Sequence, residues 1–170
     1  PMASHVVMKP GELSERGFTD AMPHRSELPG LYNFYARTQS EPAQLQALED
    51  QRCIFFPLFM TGFVIADLFL DNNWFGAQQI VIGSASSKTG FSTAAFVRAA
   101  GFEGAIVGLT SDQNVAFSEA LGCYDRVVSY SEVGSVANEP SAYIDVAGDV
   151  EVRSRLHHSL QNNAAQTLLV

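Results

Sequence analysis

The sequence is short of cysteine, of positive charge and of long apolar runs, and each shortage removes a class of function. Two cysteines occur in 170 residues, Cys53 and Cys123, and neither stands in a CxxC pair or at metal-ligand spacing from a histidine. That pattern excludes a disulfide framework and a cysteine-based zinc site, and it suits a reduced, cytoplasmic protein. Ten lysines and arginines stand against 18 acidic residues, a formal net charge of −8. Scattered along the chain, so few cations form no basic stripe, which argues against nucleic acid as a partner. The longest greasy stretch, Leu58 to Leu70, falls short of the roughly 20 residues that cross a bilayer and is interrupted by Thr61, Gly62 and Asp67. A buried helix is expected there, with no membrane partner. No signal-peptide pattern heads the chain, and it ends in Thr167-Leu168-Leu169-Val170, which reads as a strand. The expectation is a fragment of a longer protein, cut at both ends.

What is present changes character near residue 53. Ser4 to Met8 alternates weakly and predicts a short strand; Lys9 to Asp50 is irregular, and Leu31-Tyr32-Asn33-Phe34-Tyr35 reads as one helical turn or a packing segment. From Ile54 onward apolar strands alternate with helices that end at glycines, the rhythm of a parallel sheet covered on both faces. The predicted strands are Gln79–Ile82, Ala105–Leu109, Arg126–Tyr130, Ala142–Val146 and one starting at Thr167. A helix from Lys88 to Ala100 stops at Gly101, and another, capped by Ser111 and striped by Phe117, Ala120 and Leu121, stops at Gly122. Val152, Leu156 and Leu160 stripe the last helix. The fold class that follows is α/β, a Rossmann-like doubly wound parallel sheet with helices on both faces, preceded by an irregular N-terminal segment.

The informative unit is Gly83-Ser84-Ala85-Ser86-Ser87-Lys88-Thr89-Gly90, between a strand and a helix. A strand that turns directly into a helix aims unpaired N–H groups and a positive dipole end at whatever lies above the sheet, which suits a pyrophosphate. Small side chains let the backbone approach the anion, and Gly90 would let the helix pack closely on its strand. The match to GxGxxG is imperfect, since Ala85 or Ser86 replaces the middle glycine. A strand–helix connection with no ligand is the plain alternative. A nucleotide P-loop, the basis for a phosphotransferase using Lys88, fails on spacing: four residues separate Gly83 from Lys88, and Ser87 stands where that loop needs glycine. After the second strand a dinucleotide site specific for NAD places Asp or Glu against the ribose 2′-hydroxyl. Thr110-Ser111 stands there instead, with Asp112 one step later in the first helical turn. Neutral hydroxyls suit a 2′-phosphate, which puts NADP ahead of NAD, although the same two residues also read as plain cap and turn residues.

With Ser84-Ala85-Ser86-Ser87-Lys88-Thr89, the later motifs Val107-Gly108-Leu109-Thr110-Ser111, Leu121-Gly122-Cys123-Tyr124-Asp125 and Tyr143-Ile144-Asp145-Val146-Ala147-Gly148 complete an ordered set. In that order they resemble the medium-chain dehydrogenase/reductase superfamily, most closely a quinone-oxidoreductase-like branch known as a family of unknown function. Pro1-Met2-Ala3-Ser4-His5 looks like the segment that precedes the cofactor domain in that branch. The resemblance implies a cofactor-binding part of a zinc-independent NADP(H)-dependent oxidoreductase, passing hydride to a carbonyl or activated alkene of a small-molecule substrate. It implies that residues 1–53 are the remnant of a preceding catalytic domain and linker, and that 54–170 are the dinucleotide-binding domain, truncated at its C-terminus. By position, Thr61 would lie beside the nicotinamide, and Ser84, Ala85, Ser86, Ser87, Lys88, Thr89 and Gly90 would hold the pyrophosphate. Thr110 and Ser111 would meet the adenosine ribose or its phosphate. Asn114 stands where relatives often carry a lysine for that phosphate; Tyr130 would border the adenine, and Ala147 and Gly148 would line the cofactor.

Catalytic residues are not identifiable from this stretch, and the chain by itself is expected to be inactive. The alternative is a non-catalytic nucleotide-binding or interaction module with the same fold. Bare apolar sheet edges predict a homodimer. His157 and His158, adjacent on a helix, diverge by about 100° and read as surface residues rather than a chelating pair. Asp145 reads equally as a strand-end hydrogen-bonding residue and as a neighbour of the cofactor.

Overall fold

The computed structural model of the chain describes residues 5–170, and these divide into two compact units with a boundary at Cys53/Ile54. Ser4, where the first predicted strand would begin, lies outside the described residues, and His5–Met8 take no regular structure. The first unit instead holds a small antiparallel sheet that sequence periodicity did not show: β1 (Pro10–Gly11), β2 (Gly17–Asp20) and β3 (Phe34–Ala36), in the order β1-β2-β3. Strands this short cannot display alternation. Their register is held by side chains. The Asp20 carboxylate accepts from the Lys9 and Met22 amides, both at 3.1 Å, and Phe18 stacks on Tyr35 with centroids 5.5 Å apart. The aromatic segment at Leu31 splits between a 3-10 turn, Gly30–Tyr32, and β3. A single helical turn, α1 (Ala43–Gln46), follows.

The second unit is an α/β layer structure. Its elements are β4 (Gln79–Ile82), α3 (Lys88–Ala99), β5 (Ala105–Thr110), α4 (Val115–Ala120), β6 (Arg126–Ser129), β7 (Ser141–Asp145), α5 (Val150–Leu160) and β8 (Ala164–Leu169). All five strands run parallel, in the order β6-β5-β4-β7-β8. The chain therefore starts in the middle, moves outward through β5 and β6, and returns to the other side of β4 to place β7. This is a doubly wound Rossmann-like fold, and the reversal of direction between β4 and β7 leaves a crevice at the carboxyl ends of those strands. The last strand begins at Ala164, three residues before the predicted Thr167.

Alternation within the strands builds two cores. Ile80, Ile82, Ile106, Ala142 and Ile144 face one side, with Ala94 and Val97 of α3; Val81, Val107, Leu109, Val128 and Tyr143 face the other, with Val152, Leu156 and Leu160 of α5. Both faces being apolar, the strands read in sequence as unbroken hydrophobic runs. The stripe expected on α4 is different: Phe117 is 51% exposed, while Ser118 is buried on the inner face.

The predicted Leu58–Leu70 helix proves to be a 23-residue helix, α2 (Glu49–Asp71), that carries Pro57 inside it. It extends N-terminally because Glu49 and Asp50 in its first turn complement the helix dipole. It is also less buried than expected. Gly62, Ile65, Ala66 and Phe69 form its inner stripe, whereas Ile54, Phe56, Phe63 and Val64 are half exposed or more. Among the described residues it is the one helix long and apolar enough to cross a membrane by length and composition. Its inner stripe joins the core beneath β4, and there it meets α3 almost backbone to backbone. A Cβ on Gly62 would lie 2.5 Å from Ser92 Oγ and 2.8 Å from the Thr93 amide. Gly62→Ala is expected to destabilise the chain by about 1–3 kcal/mol, because overpacking outweighs the helix propensity that alanine adds. Urea unfolding of the two proteins measures it.

Candidate functional site

The turn leaving β4 is built by its own backbone. Ser84 takes a left-handed conformation at φ 53°, which costs a non-glycine residue about 1–2 kcal/mol, so its neighbours must hold it. Its carbonyl accepts from the Ser87 amide at 2.8 Å, and the Ala85 amide donates to the Leu109 carbonyl at 2.9 Å. Ser87 is the N-cap of α3, its hydroxyl accepting from the Gly90 amide at 3.0 Å. A Cβ on Gly90 would lie 2.5 Å from the Ser84 carbonyl oxygen. This glycine therefore makes room for the turn itself, rather than for the strand as its place in the sequence implied. Two tyrosines clamp the turn from the β6 side: Tyr130 Oη accepts from the Ser84 amide at 3.0 Å, and Tyr124 Oη donates to the Ala85 carbonyl at 2.9 Å.

With those bonds made, the backbone N–H groups of Ser86, Lys88 and Thr89 have no hydrogen-bond partner among the described residues. They lie together at the N-terminus of a 12-residue helix, where partial positive charge accumulates. Lys88 adds a full one. Its ammonium sits 5.8 Å from the Phe55 ring centroid, and none of the described ion pairs engages it. An anion at this turn would meet amides, hydroxyls and one cation.

The other predicted residues lie around this turn in three groups. At the end of β5, buried Thr110 donates its hydroxyl to Ser86 Oγ at 3.2 Å. Ser111 occupies the cap position of the next turn but does not cap it through its side chain. Its hydroxyl instead accepts from Asn114 Nδ2 at 3.0 Å. After β6, Tyr130 opens a 3-10 turn, Tyr130–Ser135, so that its ring reaches back across β5 to the phosphate turn. Burial pushes the Tyr130 phenol up, opposed by the Ser84 amide that favours the anion. After β7, exposed Ala147 and Gly148 form a turn in which Gly148 takes φ 67° and donates its amide to Asp145 Oδ1 at 2.8 Å. Thr61 stands apart from these groups, in an apolar groove of α2 and the end of β8 with Met60, Val64 and Leu168, its hydroxyl donating to the Pro57 carbonyl at 3.0 Å.

Sequence reading missed the polar network beneath the crevice. Asp145, 1% exposed, pairs with Arg153 at 2.7 Å and also accepts from Tyr143 Oη at 3.3 Å. Arg153 lies eight residues further on and is brought back by the turn into α5, so no local spacing announces the pair. Tyr124 stood inside a recognised motif with no role attached. Tyr143 is pushed strongly upward, by burial first and then by the Asp145 charge. His157 bonds Thr167 Oγ1 through Nε2 at 2.8 Å, and no group of three or more metal-ligating side chains exists among the described residues.

Strand order and the turn after the central strand define the class: a Rossmann-like α/β protein with three unpaired backbone amides, among the described residues, in the turn at its topological switch point. The chain belongs to the family described as "Protein of unknown function (DUF2855)", whose model matches residues 1–170. No curated protein matches it in sequence. Among solved structures it is similar to the yhdH oxidoreductase from Salmonella enterica in complex with NADP, at a TM-score of 0.46 and 15% identity, over 63% of this chain and 34% of that one. The chain thus spans about a third of that enzyme's length.

Arg153→Leu leaves the Asp145 carboxylate buried without its cation and is expected to cost about 3 kcal/mol. Asp145→Asn, neutral and still able to accept from Gly148, is expected to cost less. Denaturant unfolding of both variants orders them.

Proposed function

We propose that residues 54–170 bind a nicotinamide dinucleotide and form the cofactor-binding part of a zinc-independent oxidoreductase of the medium-chain dehydrogenase/reductase type. The observation that carries this reading is the position of the Ser84–Gly90 turn. It follows the central strand, at the point where strand order reverses, and presents three unpaired amides beside Lys88. Pyrophosphate is the anion such a turn takes in doubly wound sheets. The residues fit it, since the cradle exists only because Gly90 lacks a Cβ.

In this reading the amides of Ser86, Lys88 and Thr89 bind the pyrophosphate, with the hydroxyls of Ser86, Ser87 and Thr89 around it. Thr110, Ser111 and Asn114 border the adenosine ribose, and residue type alone there suits NADP(H). Tyr130 steadies the turn through the Ser84 amide, Ala147 and Gly148 line the crevice, and Thr61 belongs to the nicotinamide side. The dinucleotide supplies hydride chemistry, toward a carbonyl or activated alkene, and the protein supplies orientation. Residues 1–53 would belong to a preceding catalytic domain, where substrate contacts would lie. A cytoplasmic homodimer accords with the same reading.

A non-catalytic nucleotide-binding module is the second reading. It is favoured by the commitment of Asp145 to Arg153, which leaves that carboxylate held in an ion pair rather than free to move a proton.

Thermal unfolding with NADPH, NADH and Mg-ATP separates the possibilities. A dinucleotide at 100 times its Kd adds about 2.7 kcal/mol, a rise in Tm of about 5–10 °C for a chain of this size. Gly90→Ala is expected to abolish the rise. A response to Mg-ATP alone would replace this reading with phosphoryl transfer, and no response to any of the three would remove it.

A further inference from the structure

The adenosine end of the site is shaped by a carboxylate. Asp112 Oδ1 accepts from Ser131 Oγ at 3.0 Å, which ties the loop after β5 to the loop after β6; both residues are exposed. Asp112 Oδ2 has no hydrogen bond among the described residues, so the carboxylate keeps an acceptor at the lip between those strands. Resting on the dinucleotide reading, we infer that Asp112 makes this site select NAD(H) over NADP(H), by accepting from the ribose 2′-hydroxyl and repelling a 2′-phosphate.

Three observations support this against the neutral hydroxyls that residue type alone would credit to NADP. First, Thr110 is unavailable to a phosphate, being 1% exposed and engaged with Ser86. Second, Ser111 is held by Asn114 and carries no charge. Third, four of the five cations of this unit have other work. Lys88 belongs to the phosphate turn, Arg98 pairs with Asp125, Arg126 bonds Ser135 and Arg153 pairs with Asp145. Arg155 alone approaches, and it donates to the Ser131 carbonyl at 2.9 Å. A 2′-phosphate would bring nearly two negative charges against Asp112 with a single guanidinium to offset them, whereas a 2′-hydroxyl brings a donor that the carboxylate can use.

Titration of the chain with NADH and NADPH, followed by reduced-nicotinamide fluorescence, tests this in the wild type, Asp112→Asn and Arg155→Ala. The wild type is expected to bind NADH about tenfold or more tighter than NADPH. Asp112→Asn should erase or reverse that preference, mainly by a gain of about tenfold for NADPH. Arg155→Ala should leave the wild-type order unchanged. Because Asp112 is exposed, an unchanged Tm without ligand confirms that the variant is folded. Tighter binding of NADPH by the wild type, or an unaltered ratio in Asp112→Asn, would overturn the inference while leaving the dinucleotide reading intact. Binding of neither dinucleotide would overturn both.

Discussion

Where β4 turns into α3, the Ser84 carbonyl and Gly90 approach so closely that a Cβ would sit 2.5 Å from the oxygen, and the rest of the carboxyl-end architecture is arranged around that contact. Ser84 there takes a left-handed conformation, held by the Ser87 amide on its carbonyl and by Tyr130 Oη accepting from its amide. The contact also turns the first amides of α3 outward, where they accumulate positive potential without protein partners. Gly108 serves the same purpose one strand away, since a Cβ there would meet Ala85 Cβ at 2.8 Å.

The turn is supported chiefly from one flank. Tyr124 and Tyr130, on either side of β6, reach over β5 to bond it, and Thr110 at the end of β5 touches Ser86. The opposite wall, after β7, has its own anchor in Asp145, which holds the Gly148 turn and Arg153 with no help from the β6 side. Each side of the crevice therefore has its own anchor, and Arg155 of α5 joins the two by donating to the Ser131 carbonyl after β6. Both braces are part-buried hydrogen-bond networks with their partners satisfied, the condition under which such networks rigidify rather than weaken a fold.

The long helix α2 shows a different compromise. Its inner stripe of Gly62, Ile65, Ala66 and Phe69 is narrow, while its outer face is apolar as well. Hydrophobicity all round obscures helical period, which is why the segment read as a shorter, fully buried element. In the strands, the same evenness of apolar residues arises because both sheet faces are covered.

The sequence by itself determined the parallel α/β class, the turn at Gln79–Gly90 and the glycine-ended helices, because these depend on local chemistry: apolar runs, small residues, Gly101 and Gly122 in left-handed positions. It also carried the likeness to a family of unknown function, whose model matches residues 1–170. It did not determine the first unit's small sheet, whose strands of two to four residues are held by Asp20 and stacked aromatics from distant positions. Nor did it reveal the Asp145–Arg153 pair, the reach of Tyr130 to Ser84, or the placing of Asp112 against Ser131. Each of these joins residues brought together by a crossover or a turn between elements. Such pairings have no period and no fixed spacing, so only the tertiary structure decided them.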